Sequence, residues 1–404
     1  MNFSYGYKIT AVIPTCIIIN HPHYLYPMRY PFLDLTLLNQ PWLEELKDAA
    51  MRVISSGRYI GGDEVEALEA DMAELCGITH AVGVSNGLDA LTLILKAYVK
   101  LGRLNPGDGV IVPANTYIAT MLAVTEAGLT ILPVDIDETS MNISASDIPA
   151  DILNQAKAIM PVHLYGRTAW SSALRDIANS HNLLVVEDSA QAIGARSSAP
   201  GINGGHTAGG LGHASGFSFY PTKNIGALGD AGIVTTDDAE LASTVRALAN
   251  YGSDRRYHNI YCGNNCRLDP IQAAMIRVKL HHIDEINTRR RENATAYDTY
   301  LTNQLITKPA MPSDAGEHVW HQYVIYSGVY RDRLQSYLTE KGVGTDIHYA
   351  TPPLHQPCYL HLECRHDFPV TDRLADGILS LPISEMTTPA DIKEICAIIN
   401  RFEP

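Results

Sequence analysis

Short apolar runs alternate with segments of helical period through most of this chain. Residues 42–56 place Leu43, Leu46, Ala50, Val53 and Ile54 at helical spacing and stop before Gly57. Residues 63–76 open on Asp63 and Glu64, carry Val65, Leu68, Met72 and Leu75, and stop before Gly77. Acid at the start and glycine at the end fit helix-end chemistry. AVGVS (81–85) reads as a strand and 88–101 as a helix. Further strand-like runs are VIVP (110–113), LTILPVD (129–135), AIMPV (158–162), LLVVE (183–187), GFSFY (216–220) and AGIVTT (231–236), with helical patterns at 116–127, 171–181 and 237–249. Continuous apolar strands alternating with helices predict an α/β fold with a mostly parallel sheet covered on both faces.

A long helix is expected at 269–287, with Asp269 as cap and Pro270 at its first position. After Arg289-Arg290-Arg291 the pattern changes: HVWHQYVIY (318–326) reads as a strand, 331–341 as a helix and 388–402 as an amphipathic helix capped by Thr388. The expected organisation is an extension over 1–30, a large unit over 31–290 and a smaller α+β unit over 291–404. Within the extension, the apolar run 9–19 is interrupted by Pro14, follows one lysine and is followed by no small-residue cleavage site, so a dispensable segment fits better than a secretory signal. Met28 would be a natural alternative start. The Gly-rich stretch 201–216 reads as a flexible loop.

The composition narrows the function classes. Charged residues are 18% of 404, below the roughly 25% usual for soluble domains, and the formal net charge is −14. Contact with a nucleic-acid backbone would start from repulsion. Seven cysteines without framework spacing suit a reduced, cytoplasmic chain. No run of about 18 apolar residues exists to span a membrane.

In parallel sheets ligands sit at the carboxyl ends of strands, and three polar segments interrupt the apolar runs there. Ser85-Asn86-Gly87-Leu88-Asp89 follows a strand and opens a helix, where free N–H groups can hold a phosphate. Glu187-Asp188-Ser189-Ala190-Gln191 ends LLVV with carboxylates that need a cationic partner when buried. Ser218-Phe219-Tyr220-Pro221-Thr222-Lys223-Asn224 leads a lysine out of a strand into a Gly-rich turn, where a desolvated amine becomes a nucleophile for carbonyls. Each alone also fits an ordinary structural role: a tight turn, a capping Asp, a solvated Lys. Together, in that order, they suit pyridoxal 5'-phosphate, with the phosphate on the first, the pyridine nitrogen on the second and the aldehyde on the lysine.

At these residues the chain resembles the DegT/DnrJ/EryC1/StrS sugar aminotransferases, of the aspartate-aminotransferase fold type (fold-type I). The motifs are GRYIGGDEVEALE (57–69), SNGLDAL (85–91), PANTYIAT (113–120), VEDSAQAIGA (186–195), SFYPTKNIGALGDAG (218–232), NNCRLDPIQAA (264–274), HVWHQYVI (318–325) and HYATPPLHQ (348–356). The resemblance implies that Lys223 holds the cofactor and moves protons, that Asp188 meets the pyridine nitrogen and that Gln191 contacts the ring oxygen. It implies that Ser218 and the backbone of Gly87 and Leu88 bind the phosphate and that Tyr117 stacks on the ring. Leu88 stands where many members have a phosphate-binding Thr.

Asn265 matches a residue that reaches the phosphate of the neighbouring subunit, which implies a homodimer with shared active sites. His348 and Tyr349 fall where the family lines the sugar pocket, and Tyr220 and His163, at strand ends, are further candidates. His163 fits a structural role equally well. The implied reaction takes the amino group of L-glutamate to a keto carbon of a dTDP-linked 6-deoxyhexose. SNGLDAL resembles members acting at C3, with C4 the alternative.

Three rivals are weaker. A related 3-dehydratase has His in place of the cofactor lysine, and Lys223 is present here. A regulatory binder without turnover would not need Lys223, Asp188 and Gln191 intact. The series His355, Cys358, His361, Cys364, His366 has zinc-type ligands, but no paired CxxC knuckles, so no metal is expected.

Overall fold

The computed structural model describes residues 28–362, 364 and 366–404, so the expectation that residues 1–27 are dispensable lies outside the described residues. A seven-stranded sheet organises the larger unit. Its strands are β1 (His80–Val84), β2 (Gly109–Pro113), β3 (Thr130–Val134), β4 (Ala156–Ile159), β5 (Leu184–Asp188), β6 (Ala214–Ser218) and β7 (Gly232–Thr236). The order is β1-β7-β6-β5-β4-β2-β3. β7 is antiparallel to both its neighbours, and the other pairings are parallel. β1 to β6 therefore all point their carboxyl ends to one edge.

Alternation along the strands feeds a first core that lies on both faces of the sheet. Val234 packs with Leu91, Leu95, Val110 and Val186, whereas its neighbour Ile233 packs with Leu68, Phe217 and Ile276 on the opposite face. This period of two explains why the runs are apolar throughout: both faces are covered by helices.

A second core gathers Tyr297, Trp320, Tyr323, Leu379, Ile392 and Ile399 around the antiparallel pair Tyr323–Tyr326 and Ile378–Leu381. The helix Ile283–Tyr300 runs through position 290 and supplies Ala294 and Tyr297 to this core. The terminal helix Pro389–Ile399 carries the expected cap: Thr388 Oγ1 accepts from Asp391 N at 3.2 Å while Asp391 Oδ2 accepts from Thr388 N at 2.9 Å.

Several expectations need correction. Tyr30, counted with the extension, is buried in the second core, and its N–H and C=O bond to Gly342 O and Gly344 N. The helix expected at 269–287 is two helices, Pro270–Leu280 and Ile283–Tyr300. Between them His282 N–H takes the tighter bond to Lys279 O, and its ring stacks on Trp42 at 3.9 Å. Asp269 caps with its backbone alone. The strand expected at 318–326 is only Tyr323–Tyr326, because Trp320 turns to φ +49° and packs its ring 3.8 Å from His318. The stretch 201–216 is not a loose loop: Gly209, Leu211 and Gly212 donate their N–H groups to Glu187 at 2.8–2.9 Å.

Candidate functional site

The polar segments noted in the sequence converge at the carboxyl edge of the sheet. After β1, Asn86 caps the helix Gly87–Lys100 by accepting from Asp89 N at 2.8 Å. The N–H groups of Gly87 and Leu88 form the first turn, which has no intrahelical acceptor. Gly87 faces Ser218 at the end of β6, and a Cβ there would come within 2.6 Å of Ser218 Cβ. That packing requires glycine and sets the helix N-terminus beside the Ser218 hydroxyl.

Asp188 ends β5 and is buried. Its Oδ2 accepts from Thr120 Oγ1 at 2.7 Å and its Oδ1 from Ala190 N at 3.2 Å. Burial pushes its pKa up, and Thr120, Ala190 N–H and the nearby Lys223 pull it back. Lys223 is half-buried in the turn after β6, with its N–H on Tyr220 O at 2.8 Å. Burial lowers its amine to about 8, opposed by the Asp188 charge. A nucleophilic amine thus stands beside a carboxylate that needs a cation.

The walls come from other segments. Gln191 Oε1 accepts from Tyr165 N at 2.6 Å and its Nε2 donates to Tyr349 OH at 3.1 Å. The Tyr349 ring lies 5.2 Å from that of Tyr117, which is largely exposed at the start of the helix Ile118–Glu126. Tyr165 OH donates to His348 O, and His348 Nδ1 pairs with Ser380 Oγ at 2.9 Å. The structure therefore joins Gln191, Tyr117, His348 and Tyr349 into one wall. Tyr220 is about half exposed, and Asn265 is exposed and bridged to Asn250.

His163 is not part of that wall. Its side chain is wholly buried, with Nε2 2.9 Å from Glu187 Oε2 and Nδ1 accepting from Ala169 N at 3.0 Å. With both nitrogens occupied it offers nothing to a substrate, so the structural reading replaces the substrate-binding one. Cys266 is likewise buried in the first core. His355 and His366 approach different carboxylates, Asp372 and Asp151, and among the described residues no three metal-type ligands gather.

Sequence reasoning missed Thr120, Asn115, Asn224 and His321. Asn115 Nδ2 is buried without a hydrogen-bond partner among the described residues. His321 Nδ1 meets Asn224 Oδ1 at 3.2 Å. Burial, reinforced by Lys223 and Arg290, holds its pKa well below the ordinary histidine range. Thr120 stood in the sequence only as the last residue of the PANTYIAT motif, one helical turn past Tyr117, with no role assigned to it.

The residues fit pyridoxal 5'-phosphate. The glycine cradle has free donors, Lys223 lies near enough to the buried carboxylate to pull its pKa back, and burial depresses the Lys223 amine toward neutrality. Comparison with known proteins agrees. A profile of the DegT/DnrJ/EryC1/StrS aminotransferase family matches residues 42–400. The chain is 43% identical over 372 residues to the dTDP-3-amino-3,6-dideoxy-alpha-D-galactopyranose transaminase of Aneurinibacillus thermoaerophilus, covering 92% of this chain and 99% of that one.

The crystal structure of Streptomyces venezuelae DesV in complex with a ketimine intermediate superposes with a TM-score of 0.84 at 38% identity, over 93% of this chain and 98% of that one. Bacillus subtilis NtdA, solved with bound cofactor PMP, gives a TM-score of 0.82 at 28% identity, over 94% and 87% of the two chains. The chain belongs to the DegT/DnrJ/EryC1/StrS family of pyridoxal phosphate-dependent aminotransferases.

Proposed function

We propose that this enzyme transfers the amino group of L-glutamate to the C3 keto carbon of a dTDP-linked keto-6-deoxyhexose. The dTDP-amino sugar it makes would serve surface polysaccharide or glycoside biosynthesis. The observation that carries this reading is the half-buried Lys223, its amine lowered to about 8 beside the buried Asp188. Similarity to a dTDP-3-amino sugar transaminase over nearly that enzyme's whole length supports the substrate.

Bound pyridoxal phosphate would supply the aldehyde that carries the amino group and a ring that withdraws electrons from the reacting carbon. The chain's own residues do the rest. Gly87 and Leu88 N–H and the Ser218 hydroxyl would hold the phosphate. Asp188, with Thr120 favouring its anionic form, would face the ring nitrogen. Gln191 would offer its amide to the ring oxygen, and Tyr117 would cover one ring face. Lys223 would take a proton from the glutamate α-carbon in the first half and, in the reverse half, deliver a proton to the sugar carbon that receives the nitrogen, acting as base and then as acid. An amine near 8 can do both at neutral pH.

His348, Tyr349 and Tyr220 line the sugar side. Asn265, exposed on this chain, would reach the phosphate of the neighbouring subunit in a homodimer with shared active sites, working in the cytoplasm. Among the described residues no helix is long and apolar enough to cross a membrane.

The test is incubation with dTDP-3-keto and dTDP-4-keto-6-deoxyhexoses plus glutamate, with NMR of the product. Nitrogen on C3 supports the proposal. Nitrogen on C4 gives the alternative regiochemistry, and amination of neither sugar rejects the reading.

A further inference from the structure

Asn287 belongs to none of the motifs that point to the active site. It is buried on the helix Ile283–Tyr300, and both ends of its amide are used. Its Nδ2 donates to Ile193 O at 3.0 Å, and its Oδ1 accepts from Asn224 Nδ2 at 3.0 Å. Asn224 follows Lys223 directly. Ile193 lies two residues beyond Gln191 and in the segment that leaves Asp188.

Asn224 is equally committed. Its Nδ2 also donates to Val319 O at 3.0 Å, and its Oδ1 faces His321 Nδ1 at 3.2 Å. Backbone carbonyls only accept, so Ile193 O and Val319 O settle which end of each amide is nitrogen. His321 must then carry its proton on Nδ1. The close approach also needs a glycine: a Cβ at Gly194, φ +79°, would come within 2.9 Å of Asn287 Nδ2.

We propose that Asn287 is a positioning residue for amino transfer, forming with Asn224 a two-amide bridge that sets the spacing between the Lys223 segment and the segment of Asp188 and Gln191. The proposal rests on Lys223 being the cofactor lysine. The Lys223 turn is also held by Lys223 N to Tyr220 O, Ala227 N to Phe219 O, and Lys279 Nζ to Gly226 O at 2.8 Å. Those bonds tie it to itself and to the helix Pro270–Leu280. The amide bridge ties it to the carboxylate side beyond the strand ends. With the bridge cut, the lysine gains freedom and water, and the desolvation that lowers its amine relaxes.

The test uses Asn287→Leu, which keeps the volume and removes both hydrogen bonds, and Asn287→Ala as a second variant in case the first does not fold. Cofactor-stripped protein is mixed with pyridoxal phosphate across pH, and the rate of the roughly 410-nm band typical of its lysine adduct is followed. The expected result is a rate midpoint about one unit higher than wild type. The loaded variant is expected to lose about 10-fold in kcat, with KM for glutamate changed less than about threefold.

A purely structural role would lower the melting temperature and leave the midpoint in place. A folded variant of either kind with wild-type midpoint and kcat overturns the proposal. Borohydride reduction separates the two levels. Wild-type protein unlabelled at Lys223 removes the cofactor-lysine reading itself, whereas labelling at Lys223 with unchanged midpoints removes only the bridge.

Discussion

The Thr120 hydroxyl donates to Asp188 Oδ2 at 2.7 Å, and Thr116 Oγ1 lies 2.7 Å from the same hydroxyl. Asp188 is buried, so this donor is one of the few groups that favour its anionic form. Thr120→Val removes the donor at constant shape. A hydrogen bond to a charged group is worth about 2 kcal/mol, so kcat/KM is expected to fall roughly 30-fold. Steady-state kinetics and retention of cofactor on gel filtration check this, and full activity in the Val variant would show that Asp188 holds its charge by other means.

Lys223 makes a prediction about pH and stability. Its amine is lowered to about 8, against about 10.4 when unfolded. Between those values the unfolded chain binds the extra proton, so this group makes stability rise with pH across that window. Below pH 8 the protonated amine is held in a site that disfavours charge. Cofactor-free Lys223→Met is therefore expected to melt above the wild type at neutral pH, with the gap closing as pH climbs from 8 to 10. Thermal melts at several pH values decide it, and a gap that widens with pH would contradict the assignment. Lys279, also lowered to about 8 by burial, stays in both proteins and cancels in the difference.

Gly87→Ala is expected to destabilise the protein and to weaken cofactor binding. The added methyl meets Ser218 Cβ at 2.6 Å, and overpacking of this kind costs about 1–3 kcal/mol. It also pushes apart the helix N-terminus and the hydroxyl that would share a phosphate. Isothermal titration with pyridoxal phosphate should show at least about a 10-fold weaker Kd, while titration with pyridoxal, which lacks the phosphate, should change little.

Much of this was legible in the sequence, for a physical reason. Lys223, Asp188 and Gly87 each break an apolar run at a strand's carboxyl end, and a strand buried on both faces leaves such breaks conspicuous. The residues that tune them were not legible. Thr120 and Asn287 sit on helices, where a threonine or asparagine looks like any other, and their partners are distant along the chain. Glu187 stood next to Asp188 in plain view, yet its role in gathering Gly209, Leu211 and Gly212 depends on a loop whose glycines read as slackness. The break at His281-His282 was hidden because nothing local forbids a helix there: the Trp42 ring that stacks on His282 comes from 240 residues away in the chain.

With Gln191 on the cofactor side and Tyr349 on the sugar side, as proposed above, their bond would separate the two halves of the reaction. Gln191 Nε2 donates to Tyr349 OH at 3.1 Å, while Tyr165 N pins Gln191 Oε1 at 2.6 Å. In Tyr349→Phe the amide keeps its anchor on Tyr165 and remains free to meet a cofactor ring oxygen. The Tyr117–Tyr349 ring contact at 5.2 Å survives as well. The glutamate half is then expected within about threefold of wild type. The sugar half loses a hydroxyl from its pocket wall, a neutral hydrogen bond worth about 1 kcal/mol or somewhat more, so roughly a 5- to 10-fold rise in sugar KM is expected with kcat little changed. Following each half-reaction by absorbance, with glutamate alone and then with the keto sugar, resolves the two. Equal losses in both halves would instead place the Tyr349 hydroxyl on the cofactor side, acting through Gln191.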